Sequence, residues 1–148
     1  KVSSQSGAVS VGAVQEEVMK AGLLGEMIGI AFQIKDDIFD YFESSELGKP
    51  TGNDMLEGKL TLPALYVLNQ TGDDSLKQTA LKIRSLEASK EEIANFVETV
   101  KEKGGIEYAT RMMYEFRDKA LALVPASADS SLKEALTAYI DYVIERNK

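Results

Sequence analysis

Apolar residues run so densely from Ala21 to Phe42 that they encircle most of a helix, and at 1.5 Å per residue that central element would reach about 33 Å. Upstream, Gly7 to Ala13 is small and glycine-bearing, and the polar Gln15 to Lys20 stretch reads as a helix end leading into a turn or a new helix. Ser44 to Asn53 concentrates Ser, Gly, Pro and Asn, which predicts a loop, with a short turn over Asp54 to Lys59. Thr61 is placed to cap a helix carrying Pro63 in its first turn and running to Gln70. The second half continues in the same grammar. Asp74 or Ser75 opens a helix to about Leu86, and Ser89 with Glu92 makes a capping-box pattern for one ending at Gly104 and Gly105. A further helix runs from about Ile106 to Val124, and Ser131 with Glu134 is placed to cap the last, whose Leu132, Leu136, Tyr139, Ile140 and Val143 form one stripe. No alternating Val, Ile or Thr run bounded by hairpin turns competes, so the pattern predicts an all-α chain without internal repeat or linker.

At 148 residues the chain has room for one core, and its 44% hydrophobic and 28% charged composition is that of a folded protein. A formal charge of −7 repels nucleic acid and gives no long-range attraction to an anionic membrane. With neither His nor Cys, the chain lacks the parts for a His-based triad, a thiol nucleophile, a Cys/His zinc site or a disulfide. What remains is the chemistry of carboxylates, amines, guanidinium groups and hydroxyls. The cysteine-free sequence suits a reducing cytoplasm, and no secretory leader or membrane-spanning run is visible in it.

The strongest chemical signal is Asp36, Asp37 and Asp40. On a helix their spacing sets them at about 0°, 100° and 40°, on one face, with Gln33 and Gly29 on the same arc. Met27, Ile28, Ile30, Ile34, Ile38 and Phe42 occupy the other side and its flanks. A solvated acidic face is the ordinary explanation of two aspartates on a helix, but here the helix is apolar round most of its girth. Like charges clustered in such an element are costly unless a cation neutralises them. Short carboxylates without soft ligands are the donor set of Mg²⁺, which takes a few carboxylates and fills its shell with water and phosphate oxygens. A calcium EF-hand is a poorer fit, because its ligands come from a loop. Lys49, between Gly48 and Pro50, and Lys59, after Gly58, with Asp54 between them, would add cationic charge for a diphosphate.

FQIKDDIFDY followed by LGKPTGNDMLEGKLTLPALY closely resembles the second aspartate-rich region and following loop of the trans-isoprenyl diphosphate synthases, or polyprenyl synthetases, densely from about Gly25 to Tyr66. The resemblance implies a Mg²⁺-dependent prenyltransferase with the helical bundle of the isoprenoid synthases, usually a homodimer. It would condense an allylic diphosphate with isopentenyl diphosphate. On that basis Asp36, Asp37, Asp40 and Lys49 would be catalytic, with Asp36, Asp40 and Asp54 serving the metal, the last through its water shell. Lys49 would contact the allylic diphosphate, Gln33 would line the cleft, and Lys59 matches the family's second loop lysine.

The family's first aspartate-rich motif and isopentenyl diphosphate site have no counterpart, and no second DDxxD occurs. Residues 1–148 are therefore expected to be the C-terminal part of a single all-α domain, inactive alone, with product length unreadable. Two other readings stay open: a non-catalytic helical subunit or interaction module, favoured by the missing motif, and a different terpenoid enzyme of the same fold, disfavoured by the GKPTGND loop.

Overall fold

The computed structural model describes residues 1–10, 12, 15–42, 52–125 and 129–145. These form eight helices and no strand: α1 (Val2–Ser10), α2 (Gln15–Phe39), α3 (Asn53–Leu56), α4 (Leu62–Thr71), α5 (Asp74–Arg84), α6 (Lys90–Glu102), α7 (Gly105–Ala122) and α8 (Ser130–Glu145). The all-α reading holds. Among the described residues no helix is long and apolar enough to cross a membrane.

The long helix begins earlier than expected and ends earlier too. Gln15 to Lys20 is its first part, with Glu16 and Glu17 complementing the positive end of the helix dipole. At the other end the bonding tightens: Asp40 N–H still reaches the Asp36 carbonyl at 3.3 Å, but Tyr41 and Phe42 donate to Ile38 and Phe39, the narrower pattern of a closing turn.

The chain divides into two compact units, residues 34–111 and residues 1–33 with 112–148. In the first, Tyr41, Met55, Val67, Ile83, Phe96 and Val100 are almost wholly buried in one apolar cluster. Burying a side chain of that size contributes about 1.5–3 kcal/mol, so this cluster is what holds the short helices α3 to α6 together. Local signals set their ends. Thr61 stands at the α4 N-cap with Pro in the first turn but makes no side-chain cap bond, the Asp73 carboxylate caps α5 through Ser75 and Leu76, and the Ser89–Glu92 capping box is complete. Asp73 thus replaces Asp74 or Ser75 as the capping residue of α5.

In the second unit, α1 lies so close to α2 that a methyl on Gly22 would sit 2.6 Å from the Gln5 amide nitrogen. Arg117 on α7 bonds Asp118 at 3.1 Å and reaches Asp141 on α8 at 3.3 Å. The expected α8 features need correction. Asp129 takes the capping role, accepting from Ser131 N–H and Oγ, because its carboxylate precedes the helix by the right step. The buried stripe is centred on Ile140 and Ile144, while Leu132 and Tyr139 are more than half exposed.

Core and surface leucine-type positions on α5 should separate cleanly in denaturant. Ile83→Ala, at a side chain with no exposure, should cost about 2–5 kcal/mol, and Leu81→Ala, at a 64% exposed one, less than about 0.5 kcal/mol. Equal losses in urea titrations would contradict the packing described.

Candidate metal centre

Asp36, Asp37 and Asp40 are all half-buried at the C-terminal end of α2. That end carries the negative pole of the helix dipole, and the last turn contains no basic residue. Three carboxylates are thus gathered where the backbone already disfavours negative charge. The chain then returns to this point. Gly52 N–H donates to the Asp40 carbonyl at 2.8 Å, and Asp54 N–H donates to both Asp40 carboxylate oxygens at 3.2 Å each.

Burial pushes the Asp40 carboxyl up to about 6, an effect that outweighs the lowering by the Asp54 N–H, while the Asp54 and Asp37 charges push the same way as burial. A carboxylate that resists ionisation beside other carboxylates is relieved most directly by a cation. Among the described residues, however, no group of three or more His, Cys, Asp or Glu side chains closes into a metal cage. Asp36 and Asp40 offer hard oxygen donors from one side only. That fits Mg²⁺, which keeps several water and phosphate ligands, and does not fit a cation needing a full protein cage.

The other expected site residues are distributed unevenly. Asp54 comes to Asp40 through its backbone N–H. Lys59 is exposed and its ammonium pairs with Glu57 at 3.0 Å, a bond that raises its pKa. Gln33 is exposed on α2, one turn before the acidic residues. Lys49 lies outside the described residues.

Two further residues of the FQIKDDIFDY run, to which the sequence reading gave no role, adjoin the aspartates in the chain. Lys35 is 5% exposed, with its ammonium 5.5 Å from the Phe39 ring centre, a buried cation next to the aspartates. Tyr41 is wholly buried. Burial raises its phenol, and the oxygen lies toward Thr61 and the Ala64 N–H without completing a hydrogen bond of good geometry among the described residues. A lysine inside an apolar helix was the only sequence signal for the first, and the tyrosine following the last aspartate the only one for the second.

Residues 1–100 match the family model for polyprenyl synthetase. The chain belongs to that family. This polyprenyl synthetase chain is 34% identical over 142 residues to heptaprenyl diphosphate synthase component 2 of Geobacillus stearothermophilus, covering 93% of the chain and 43% of the relative. It is 32% identical over 152 residues to the geranylfarnesyl diphosphate synthase of Aeropyrum pernix, of which it covers 46%. A geranylgeranyl pyrophosphate synthase structure from Bacteroides thetaiotaomicron superposes with a TM-score of 0.90 at 54% identity, over 97% of this chain and 47% of that one. A Caulobacter crescentus polyprenyl synthase, solved with calcium and isoprenyl diphosphate, superposes with a TM-score of 0.80 at 29% identity, over 97% of this chain and 44% of that one. The chain spans less than half the length of these relatives.

The Asp40 environment makes a pH prediction. Its pKa rises from 3.8 unfolded to about 6 folded, so folding favours the protonated form. The resulting stability is present below about pH 4 and lost as pH rises through about 6. Two pK units would be about 3 kcal/mol, and discounting for solvent access leaves about 1–2 kcal/mol. In buffer free of divalent cations, Asp40→Asn should match the parent chain near pH 4 and exceed its stability by that amount near pH 7. A difference between the two that stays flat with pH in denaturant titrations would refute the assignment.

Proposed function

We propose that this chain is the C-terminal part of a Mg²⁺-dependent isoprenyl diphosphate synthase, a cytoplasmic homodimer whose single catalytic domain continues beyond these residues. The observation that carries the reading is the acidic end of α2, where three half-buried carboxylates share the last turns of one helix and Asp40 is clamped by the Asp54 N–H. That a family relative was solved with calcium and isoprenyl diphosphate supports a divalent cation and a diphosphate as ligands. The absence of Cys supports a reducing compartment, and exposed Tyr139 and Tyr142 leave apolar surface for association.

The reaction would join an allylic diphosphate to isopentenyl diphosphate. The allylic carbon–oxygen bond breaks, pyrophosphate leaves with the electron pair, the isopentenyl double bond attacks the cation, and loss of a proton restores an alkene. Asp36 and Asp40 would hold the metal, with Asp37 adding negative charge and Asp54 acting through water. Bound Mg²⁺ would neutralise charge on the leaving pyrophosphate. Lys49 and Lys59 would contact the diphosphate, Lys59 after exchanging Glu57 for it, and Gln33 would line the approach.

Calorimetric titration of the chain with inorganic pyrophosphate tests this. Binding should need Mg²⁺, vanish with a chelator, and weaken by about tenfold or more in Asp36→Ala, the loss of about 1.4 kcal/mol or more of charge stabilisation. Glu87→Ala, an exposed carboxylate outside the cluster, should bind like the parent. Equal affinities for the two variants would overturn the proposal.

A further inference from the structure

Helix α5 ends in a way that its own sequence does not favour. Leu86 N–H donates to the Ile83 carbonyl at 3.1 Å and Glu87 N–H to the Lys82 carbonyl at 2.8 Å, the paired bonds of a Schellman cap. The residue at Leu86's place in that cap takes a left-handed backbone, normally the province of glycine. Leu86 has φ +61°, and no other non-glycine described residue has positive φ. Nor does core burial explain a leucine there, since 66% of it is exposed.

What the side chain does touch is the turn after α3. A methyl group placed on Gly58 would lie 3.0 Å from a Leu86 methyl and 3.4 Å from both the Ile83 and Arg84 carbonyl oxygens. Gly58 itself has φ +80°, so the turn is glycine-dependent and pressed onto the end of α5 with Leu86 over it. From this turn Lys59 N–H reaches back to the Asp54 carbonyl at 2.9 Å, and Asp54 N–H reaches the Asp40 carboxylate. Helix α3 is four residues long and has no independent stability. Met55, 2% exposed, pins its middle to the core, and Gly52 at its start is buried close to Ile93 and donates to the Asp40 carbonyl. The contact of the Gly58 turn with Leu86 holds the other end.

We propose that Leu86 is a positioning residue: by covering the Gly58 turn it sets the orientation of α3, and so the Asp54 N–H against Asp40 and the course of the chain at Lys59. Its bearing on catalysis rests on the diphosphate reading above. The backbone strain at Leu86 is offset by that contact.

Amide hydrogen exchange of the 148-residue chain, followed by NMR alongside thermal unfolding, tests the proposal. Leu86→Gly keeps the cap, relieves the left-handed strain and deletes only the side chain. Its melting temperature should equal or exceed that of the parent, while the Asp54 and Lys59 amides exchange about tenfold faster and those of Val97 and Val100 do not change. Leu86→Ala should loosen the same two amides, and Leu86→Met should restore their protection. Unchanged exchange at Asp54 and Lys59 in both truncations would overturn the proposal, as would a uniform acceleration at every amide. Pyrophosphate titration of the same proteins with Mg²⁺ separates the two claims. Weaker binding by Leu86→Gly extends the positioning role to the ligand, whereas a parent chain that binds none removes the diphosphate reading and leaves the exchange result to decide the role of Leu86.

Discussion

Two backbone N–H groups, those of Gly52 and Asp54, converge on one residue, Asp40. This convergence fixes where the chain re-enters after the acidic end of α2, and the placement of α3 and the following turn depends on it. It also sets an electrostatic conflict. Burial, neighbouring carboxylates and the negative pole of α2 all oppose the Asp40 charge, and hydrogen bonds from backbone donors relieve only part of that opposition. A site that stays unfavourable to its own charge after its local bonds are made is one that gains from a cation.

The core supplies the rigidity that this arrangement needs. Each half of the clamp adjoins a buried anchor: Asp40 precedes Tyr41, with no exposure, and Asp54 precedes Met55 at 2%. Both anchors belong to the cluster formed with Val67, Ile83, Phe96 and Val100. Asp40 and Asp54 are therefore steadied by these buried neighbours in the chain. Loss of core packing would be felt at the carboxylates before any ligand contact was altered.

Much of this was legible in the sequence, and the exceptions have physical causes. Helix boundaries at Pro63, Ser89 and Gly104 were readable because capping is a local affair of a few residues, although Gly105, expected to help close α6, opens α7 instead. The acidic face was readable because helical periodicity places Asp36 and Asp40 together whatever surrounds them. At α8, by contrast, the period allowed several stripes, and only tertiary contact selects Ile140 and Ile144 over Leu132 and Tyr139. Asp54 stands out in sequence as a carboxylate, yet it joins Asp40 through a backbone N–H, which every non-proline residue possesses and no composition reveals. Lys59 was legible as a cation beside a glycine, but its pairing with Glu57 depends on the turn geometry. Lys35 has the least sequence signal of all, since burial of a lysine is decided by what packs over it.

The central claim is that these residues form the metal-binding half of a prenyl-elongating active site. It is tested most directly by substituting this chain for the matching 47% of the Bacteroides thetaiotaomicron geranylgeranyl pyrophosphate synthase, to which it is 54% identical. Isopentenyl incorporation by the purified chimera should then be measured with Mg²⁺ and an allylic diphosphate. The account predicts turnover by the chimera, none by the 148-residue chain alone, and a loss of about a hundredfold or more on Asp36→Ala in the chimera. A chimera that folds and binds its substrates but forms no product, or one indifferent to Asp36→Ala, would contradict it.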